Sequence, residues 1–317
     1  MKLGFGLPIA GAWATPDNLV RVARQAEALG YHSLWVFQRL LYALEPKNEY
    51  YGAPGARWPE AFRSVLDPVV ALTWVAAHTR SIRLGASVLL TPFYSPVVLA
   101  KQLATLDVMA GGRLQVGLGT GWSLDEYEAV GAPAGRRGAR ADEFIRCLKA
   151  VWTEEEVGFR GEFYTVPRSR IEPKPAQKPH PPILVGGYSE GVLRRAAELG
   201  DGYAGGNIPL TRIAEVIGQV RAAAARAGRD PATFPIVCRG AYHVTEGTPG
   251  PAPDRRPLWG TLEEIRADLE RYAAAGVSEL FLDPNFQPGG AQLDRVLADL
   301  EALAPNARGG RESGRAG

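Results

Sequence analysis

The sequence predicts a (β/α)8 TIM barrel with insertions, and three observations carry that prediction. Eight short runs of apolar, often β-branched residues alternate with segments whose apolar positions recur at helical spacing. The short runs are apolar almost throughout, as in parallel strands that helices cover on both faces. The alternative, a doubly wound sheet, normally carries its phosphate loop after the first strand, and Leu7-Pro8-Ile9-Ala10-Gly11 holds no GxGxxG. A chain of 317 residues with 46% hydrophobic content can bury a core of that size. One barrel domain is expected over residues 1–304, and the Arg-, Gly- and Ser-rich residues 305–317 are expected to be a disordered tail.

Taken in order, Leu3–Leu7 is the first strand, and Pro16–Leu29 the first helix, with Thr15 as N-cap and Gly30 as its stop. Ser33–Phe37 is the second strand. The long connection Gln38–Asp67 carries Tyr42, Tyr50, Tyr51, Trp58 and Phe62; it is too aromatic for disorder and reads as a wall or lid. Asp67-Pro68 opens a helix that runs to His78. Ile82–Leu89 is the third strand, Val97–Ala110 a helix opened by Pro96 and closed by Gly111-Gly112, and Leu114–Leu118 the fourth strand. Ser123–Arg137 connects to a helix over Ala141–Trp152. Phe159–Val166 reads as a hairpin arm, followed by a proline-rich link from Pro167 to Pro182. Ile183–Val185, Gly202–Ala204, Phe234–Val244 and Ser278–Leu282 complete the strands. Helices over Glu190–Leu199, Leu210–Ala227, Leu262–Ala275 and Leu293–Leu303 follow them, and a loop with four prolines, Pro249 to Pro257, precedes the third of these.

The block from Ile82 to Trp122 organises the rest. Its second strand ends in Gly117-Leu118-Gly119-Thr120-Gly121-Trp122, where glycines let backbone N–H groups approach a ligand and Trp122 can wall a planar ring. Gly85-Ala86-Ser87-Val88-Leu89, Pro92, Pro96, Leu99-Ala100-Lys101-Gln102, Leu106-Asp107, Gly112-Arg113 and the Gly117–Trp122 loop, in that order and spacing, resemble the luciferase-like monooxygenase superfamily. Its members use FMN or the deazaflavin coenzyme F420. The likeness spans roughly residues 1–285 and is closest in flavour to the deazaflavin-dependent oxidoreductases.

In a TIM barrel the active site lies at the C-terminal ends of the strands. There, Gly186-Gly187-Tyr188-Ser189 joins a strand to the first turn of a helix, whose free N–H groups and positive end suit an anion. The resemblance implies that this anion is the cofactor's phosphate. It also implies a non-proline cis peptide at Ser87-Val88 beneath the ring, contacts from Gly119, Thr120, Gly121 and Trp122, and a cofactor contact near Asp125. Gln38-Arg39 departs from the pattern, because many deazaflavin relatives carry Asp-His at this point. Arg39 cannot serve readily as an acid or base; it either stabilises an anion or forms a structural salt bridge. Gln38, Arg39, Tyr42 and His243 are therefore the candidate catalytic residues, with Tyr50 as a further proton donor.

A net charge of +2 lacks the basic bias of nucleic-acid binding. No apolar run approaches membrane-spanning length and no secretory leader opens the chain, so a cytoplasmic protein is expected. Four histidines without an HxH pair argue against a metal site, and Cys147 and Cys238 read as buried structural thiols. The expected function is hydride transfer between F420 and a small organic substrate. An FMN-dependent monooxygenase and a non-catalytic flavin binder are the alternatives, and the resemblance implies a homodimer.

Overall fold

A computed structural model describes residues 1–247 and 255–305 of the chain. It begins with β1 (Lys2–Gly6), α1 (Pro16–Ala28) and β2 (Ser33–Val36), followed by the long connection and α2 (Pro68–His78). β3 (Arg83–Leu90), α3 (Pro96–Met109) and β4 (Leu114–Gly119) come next. A short α4 (Leu124–Ala129) precedes α5 (Arg137–Thr153), and an antiparallel arm of β5 (Val157–Arg160) and β6 (Thr165–Ser169) follows. Then come β7 (Ile183–Gly186), α6 (Glu190–Glu198), β8 (Gly202–Gly205), α7 (Ile213–Arg226) and β9 (Ile236–Ala241). β10 (His243–Val244), β11 (Trp259–Gly260), α8 (Leu262–Ala275), β12 (Glu279–Asp283) and α9 (Leu293–Ala302) complete it. Eight parallel strands close a barrel in the order β1-β12-β9-β8-β7-β4-β3-β2, with helices between them, as the sequence predicts.

Local chemistry sets the element ends. Thr15 Oγ1 accepts from the Asn18 amide at 3.2 Å, and Asp67 accepts from Val69 and Val70 at 3.0 and 2.9 Å. Thr261 and Glu264 form a capping box on α8, which Gly276 ends at φ 98°. The Asp107 and Arg113 positions of the family pattern act as buckles. Asp107 accepts from the amide and side chain of Gln177 at 2.9 and 2.8 Å, pinning the proline-rich link. Arg113 donates to the Ala76, Thr79, Ile82 and Ala110 carbonyls.

Two expectations need correction, and a third is untested. The seventh barrel strand ends at Ala241, not Val244. His243 donates its amide to Leu258 at 3.0 Å and pairs with Trp259, so the chain leaves the barrel ladder there. The helix expected from Ala141 begins at Arg137, and the connection before it contains α4, nucleated by Ser123 accepting from the Glu126 amide at 3.1 Å. Residues 248–254 of the proline loop and 306–317 of the tail lie outside the described residues.

Inside the barrel, Trp35 and Phe281 stack at 5.0 Å, joined by Leu184, Ala204, Val237 and Val88. Gly85 makes room for that stack, since a Cβ there would come within 2.5 Å of the Trp35 ring. Below it, the buried Glu279 carboxylate accepts from Ser33 and from the Trp35 indole. The interior is thus filled from below, and the space for a ligand lies above the Trp35–Phe281 layer, at the strands' C-terminal ends.

Candidate functional site

A cleft of about 280 Å³ opens at that end of the barrel. Its floor on one side is the end of β3, where pairing with β4 shifts register between Ala86 and Leu89. The peptide bond between Ser87 and Val88 is cis, as the resemblance implies. The bulge turns Val88 inward against three glycines. A Cβ on Gly119 would lie 2.6 Å from a Val88 methyl, on Gly186 2.7 Å, and on Gly117 3.2 Å. Gly117 and Gly119 therefore have a packing role in addition to the ligand approach expected of them from sequence. Gly121, at φ 75°, sits in the left-handed region that glycine favours.

Across the cleft from β2, the turn from β7 into α6 presents Gly186, Gly187, Tyr188 and Ser189 to the opening. Gly187 adopts φ 134°, closed to most side chains, and its carbonyl accepts from the buried Tyr203 hydroxyl at 2.9 Å. The Ser189 side chain makes no cap bond to α6, which leaves its hydroxyl and the first-turn amides to face a ligand. Ser87, Val88, Gly119, Thr120, Gly121 and Trp122 line the same cleft. The residues fit a phosphate-bearing ring cofactor: amides at one end, a bulged strand as platform, aromatic walls.

Gln38 and Arg39 reach the cleft, but both are engaged. Gln38 accepts from the Leu90 amide at 2.7 Å and donates to the Tyr94 hydroxyl at 2.5 Å, tying the end of β2 to β3. Arg39 donates to Glu126 at 2.5 Å, the two side chains being 7% and 1% exposed. Its guanidinium also lies over Trp122 at 4.7 Å and Phe62 at 5.1 Å. The salt-bridge reading of Arg39 is the one this geometry supports. The long connection is a wall: Trp122 packs on Tyr50 at 5.4 Å and on Trp58 at 4.9 Å, and Asn48 accepts from the Leu124 amide at 2.8 Å.

Three other expected site residues stand outside the cleft lining. Tyr42 lies beneath Arg63 and donates weakly to Glu60 at 3.4 Å. Asp125 accepts from the Lys47 amide at 3.0 Å, holding the wall rather than facing the opening. His243 sits on β10 against Trp259 at 5.3 Å, carried away by the early end of β9. Of the aromatic connection expected as a wall, Tyr50, Tyr51 and Phe62 line it, joined by Arg137 and Arg239, to which the sequence reading gave no role. Burial pushes the Tyr50 hydroxyl above its ordinary range against the pull of Arg239 and Arg39, so it stays protonated at neutral pH. Arg239 was readable: on β9 it shares the alternation of Val237, which faces the barrel interior, and an arginine in that register must emerge at the mouth. The lining holds three arginines, Arg39, Arg137 and Arg239, and no carboxylate among the described residues. No cluster of metal-ligating side chains, and no helix long and apolar enough to cross a membrane, occurs among the described residues.

The family model for luciferase-like monooxygenases matches residues 3–249. The chain belongs to that family. Among its relatives, an F420-dependent glucose-6-phosphate dehydrogenase of Kineococcus radiotolerans is 37% identical over 209 residues, covering 64% of this chain and 56% of that protein. An FMNH(2)-dependent dimethylsulfone monooxygenase of Pseudomonas putida is 37% identical over 155 residues, 48% of this chain and 42% of that one. The crystal structure of the monooxygenase RslO1 from Streptomyces bottropensis superposes with a TM-score of 0.78 at 23% identity, over 96% of this chain and 98% of that one, a likeness of fold. The family thus includes F420-dependent and FMN-dependent oxidoreductases, and the barrel described above is theirs.

Proposed function

We propose that this protein is an F420-dependent oxidoreductase acting on a small organic substrate at the barrel mouth. The observation that carries the reading is the pairing of the Ser87-Val88 bulge with the Gly186–Ser189 turn in one cleft, with Arg137 in its lining and no carboxylate there. Ser189, the first amides of α6 and Arg137 would hold the phosphate, Val88 would support the ring, and Trp122 would wall it. An acid-free lining favours F420 over FMN, because its tail bears carboxylates in addition to the phosphate. Bound there, F420 would supply the hydride chemistry. The chain's own contribution is to orient the reactants and to hold a proton on the Tyr50 hydroxyl, which burial keeps neutral. The test is titration of the purified protein with each cofactor. F420 should bind at least about tenfold tighter than FMN, a difference of about 1.4 kcal/mol. Tight binding of FMN alone would favour the second reading, an FMN-dependent monooxygenase, which the relative from Pseudomonas putida supports. Failure of both cofactors would remove the reading.

A homodimer built on α2 and α3 is part of the same reading. Val70 and Trp74 are exposed one turn apart on α2, and Val98 and Met109 are exposed on α3, about three turns apart and on one side. Helices that are apolar on their outer side are ordinarily covered. Light scattering should give twice the chain mass, and a Trp74→Glu, Met109→Glu double variant should run as a folded monomer. A monomeric parent protein at micromolar concentration would exclude the dimer.

A further inference from the structure

We propose that Arg239 is the anchor for a carboxylate group on the substrate, so that this enzyme acts on small organic acids with an apolar body. This rests on the reading of the cleft as a cofactor-dependent active site and adds the substrate class.

Arg239 projects from β9 into the cleft, with its side chain 12% exposed. A guanidinium buried to that degree ordinarily has its donors taken by a carboxylate at close range. Here the nearest carboxylate, Asp283, stands 3.8 Å away, beyond hydrogen-bond reach. Asp283 is half engaged elsewhere: its Oδ1 accepts from the amide and side chain of Asn285 at 3.0 and 2.8 Å, while its Oδ2, the oxygen nearer Arg239, has no hydrogen-bond partner among the described residues. Asn285 in turn holds the loop after β1 through Leu7, Ile9 and Ala10. The Arg239 Nε, inside the protein, has no hydrogen-bond partner among the described residues. Asp283 is thus close enough to keep the arginine charged and too far to occupy it. The Nε lies inside the protein, so a carboxylate meets the part of the guanidinium that lines the cleft.

Position separates this charge from the cofactor's phosphate. In the barrel order β9 lies beside β12 and β8, whereas the phosphate turn follows β7 and Arg137 opens α5 after β4. The surroundings of Arg239 are aromatic. Phe286 lies under its guanidinium at 4.9 Å, and Tyr50 and Tyr51 share the lining. Arg256, stacked on Trp259 at 4.4 Å, adds positive charge on the same side. A flat apolar body between the aromatic rings with an acid group on Arg239 satisfies both features.

The experiment compares benzoate with benzamide, which have nearly the same shape and differ in charge. Cofactor affinity is first measured by F420 and FMN titration. Each test compound is then titrated by calorimetry into the protein alone and into protein saturated with whichever cofactor binds. Benzoate should bind at least about tenfold tighter than benzamide, and Arg239→Gln should bring the two within about twofold while leaving cofactor affinity within about threefold. Arg239→Lys keeps the charge but loses the planar fork, and should retain only part of the preference. If Arg239→Gln does not fold, the lysine variant decides, since an undiminished preference there overturns the proposal. Equal binding of benzoate and benzamide to the unaltered protein also overturns it. So does a tenfold loss of cofactor affinity in Arg239→Gln, which would place the arginine on the cofactor. If neither cofactor binds yet the benzoate preference follows Arg239, the anion site stands and the cofactor reading falls.

Discussion

Arg39→Met should lower folding stability by about 3–5 kcal/mol, with a melting temperature reduced on the order of 10 °C, while the rate per folded molecule is largely kept. The reason is the partner it abandons. Glu126 is 1% exposed at its side chain, and its carboxylate is held by the Arg39 guanidinium and by the Leu40 amide at 2.8 Å. Removing the guanidinium leaves a buried charge with one amide against it, and uncovers the faces of Trp122 and Phe62 on which the arginine lies. The pair is a clamp between the end of β2 and α4, both of which border the cleft. Replacing both charges, as Arg39→Met with Glu126→Gln, should recover much of the loss because no unpaired carboxylate remains. Thermal melts of the two variants and the parent, read beside turnover per folded molecule, decide the matter. A normal melt with a collapsed rate in Arg39→Met would instead make the arginine a participant in the reaction.

The barrel was legible because its signals are local and repeated: β-branched runs, prolines that open helices, and glycines that end them. Thr15, Asp67 and Gly276 act as their residue types foretell. The Gly186–Ser189 turn at the cleft was legible for the same reason, a strand running through glycines into a helix. Which polar side chains line the cleft was not. Tyr42 and His243 are close in sequence to strand ends, but whether a side chain reaches the mouth depends on where a strand stops and which neighbour it pairs with. β9 stops at Ala241 because the next ladder partner is β11, more than a dozen residues ahead. Arg39 illustrates a different gap: its fate rests on Glu126, a residue 87 positions away in the chain. Arg239 was within reach of period-two reasoning on its strand, since its inward register follows from Val237.

The glycines at the end of β4 mark the third gap. Read from sequence, Gly119 admits a ligand; in the fold, it admits Val88. Gly119→Ala should therefore weaken cofactor binding at least about tenfold and cost about 1–3 kcal/mol of stability, although it adds one methyl group. A Cβ at Gly119 would stand 2.6 Å from a Val88 methyl, well inside contact distance. Val88 has nowhere to turn, because its other methyl already fills the spaces above Gly186 and Gly117. The strain must pass to the backbone of the bulge, which is the surface proposed to support the ring. If that account holds, the defect lies in the pair and not in the loop. Val88→Ala should then relieve Gly119→Ala, and the double variant should bind cofactor and melt better than the sum of the single effects allows, by a coupling of about 0.5–3 kcal/mol. Additive losses would locate the damage in the Gly119–Gly121 backbone itself, as a ligand-approach role requires. Unchanged melting and unchanged cofactor affinity in Gly119→Ala would mean that the bulge can yield without moving its platform, and the packing argument for Val88 would be lost.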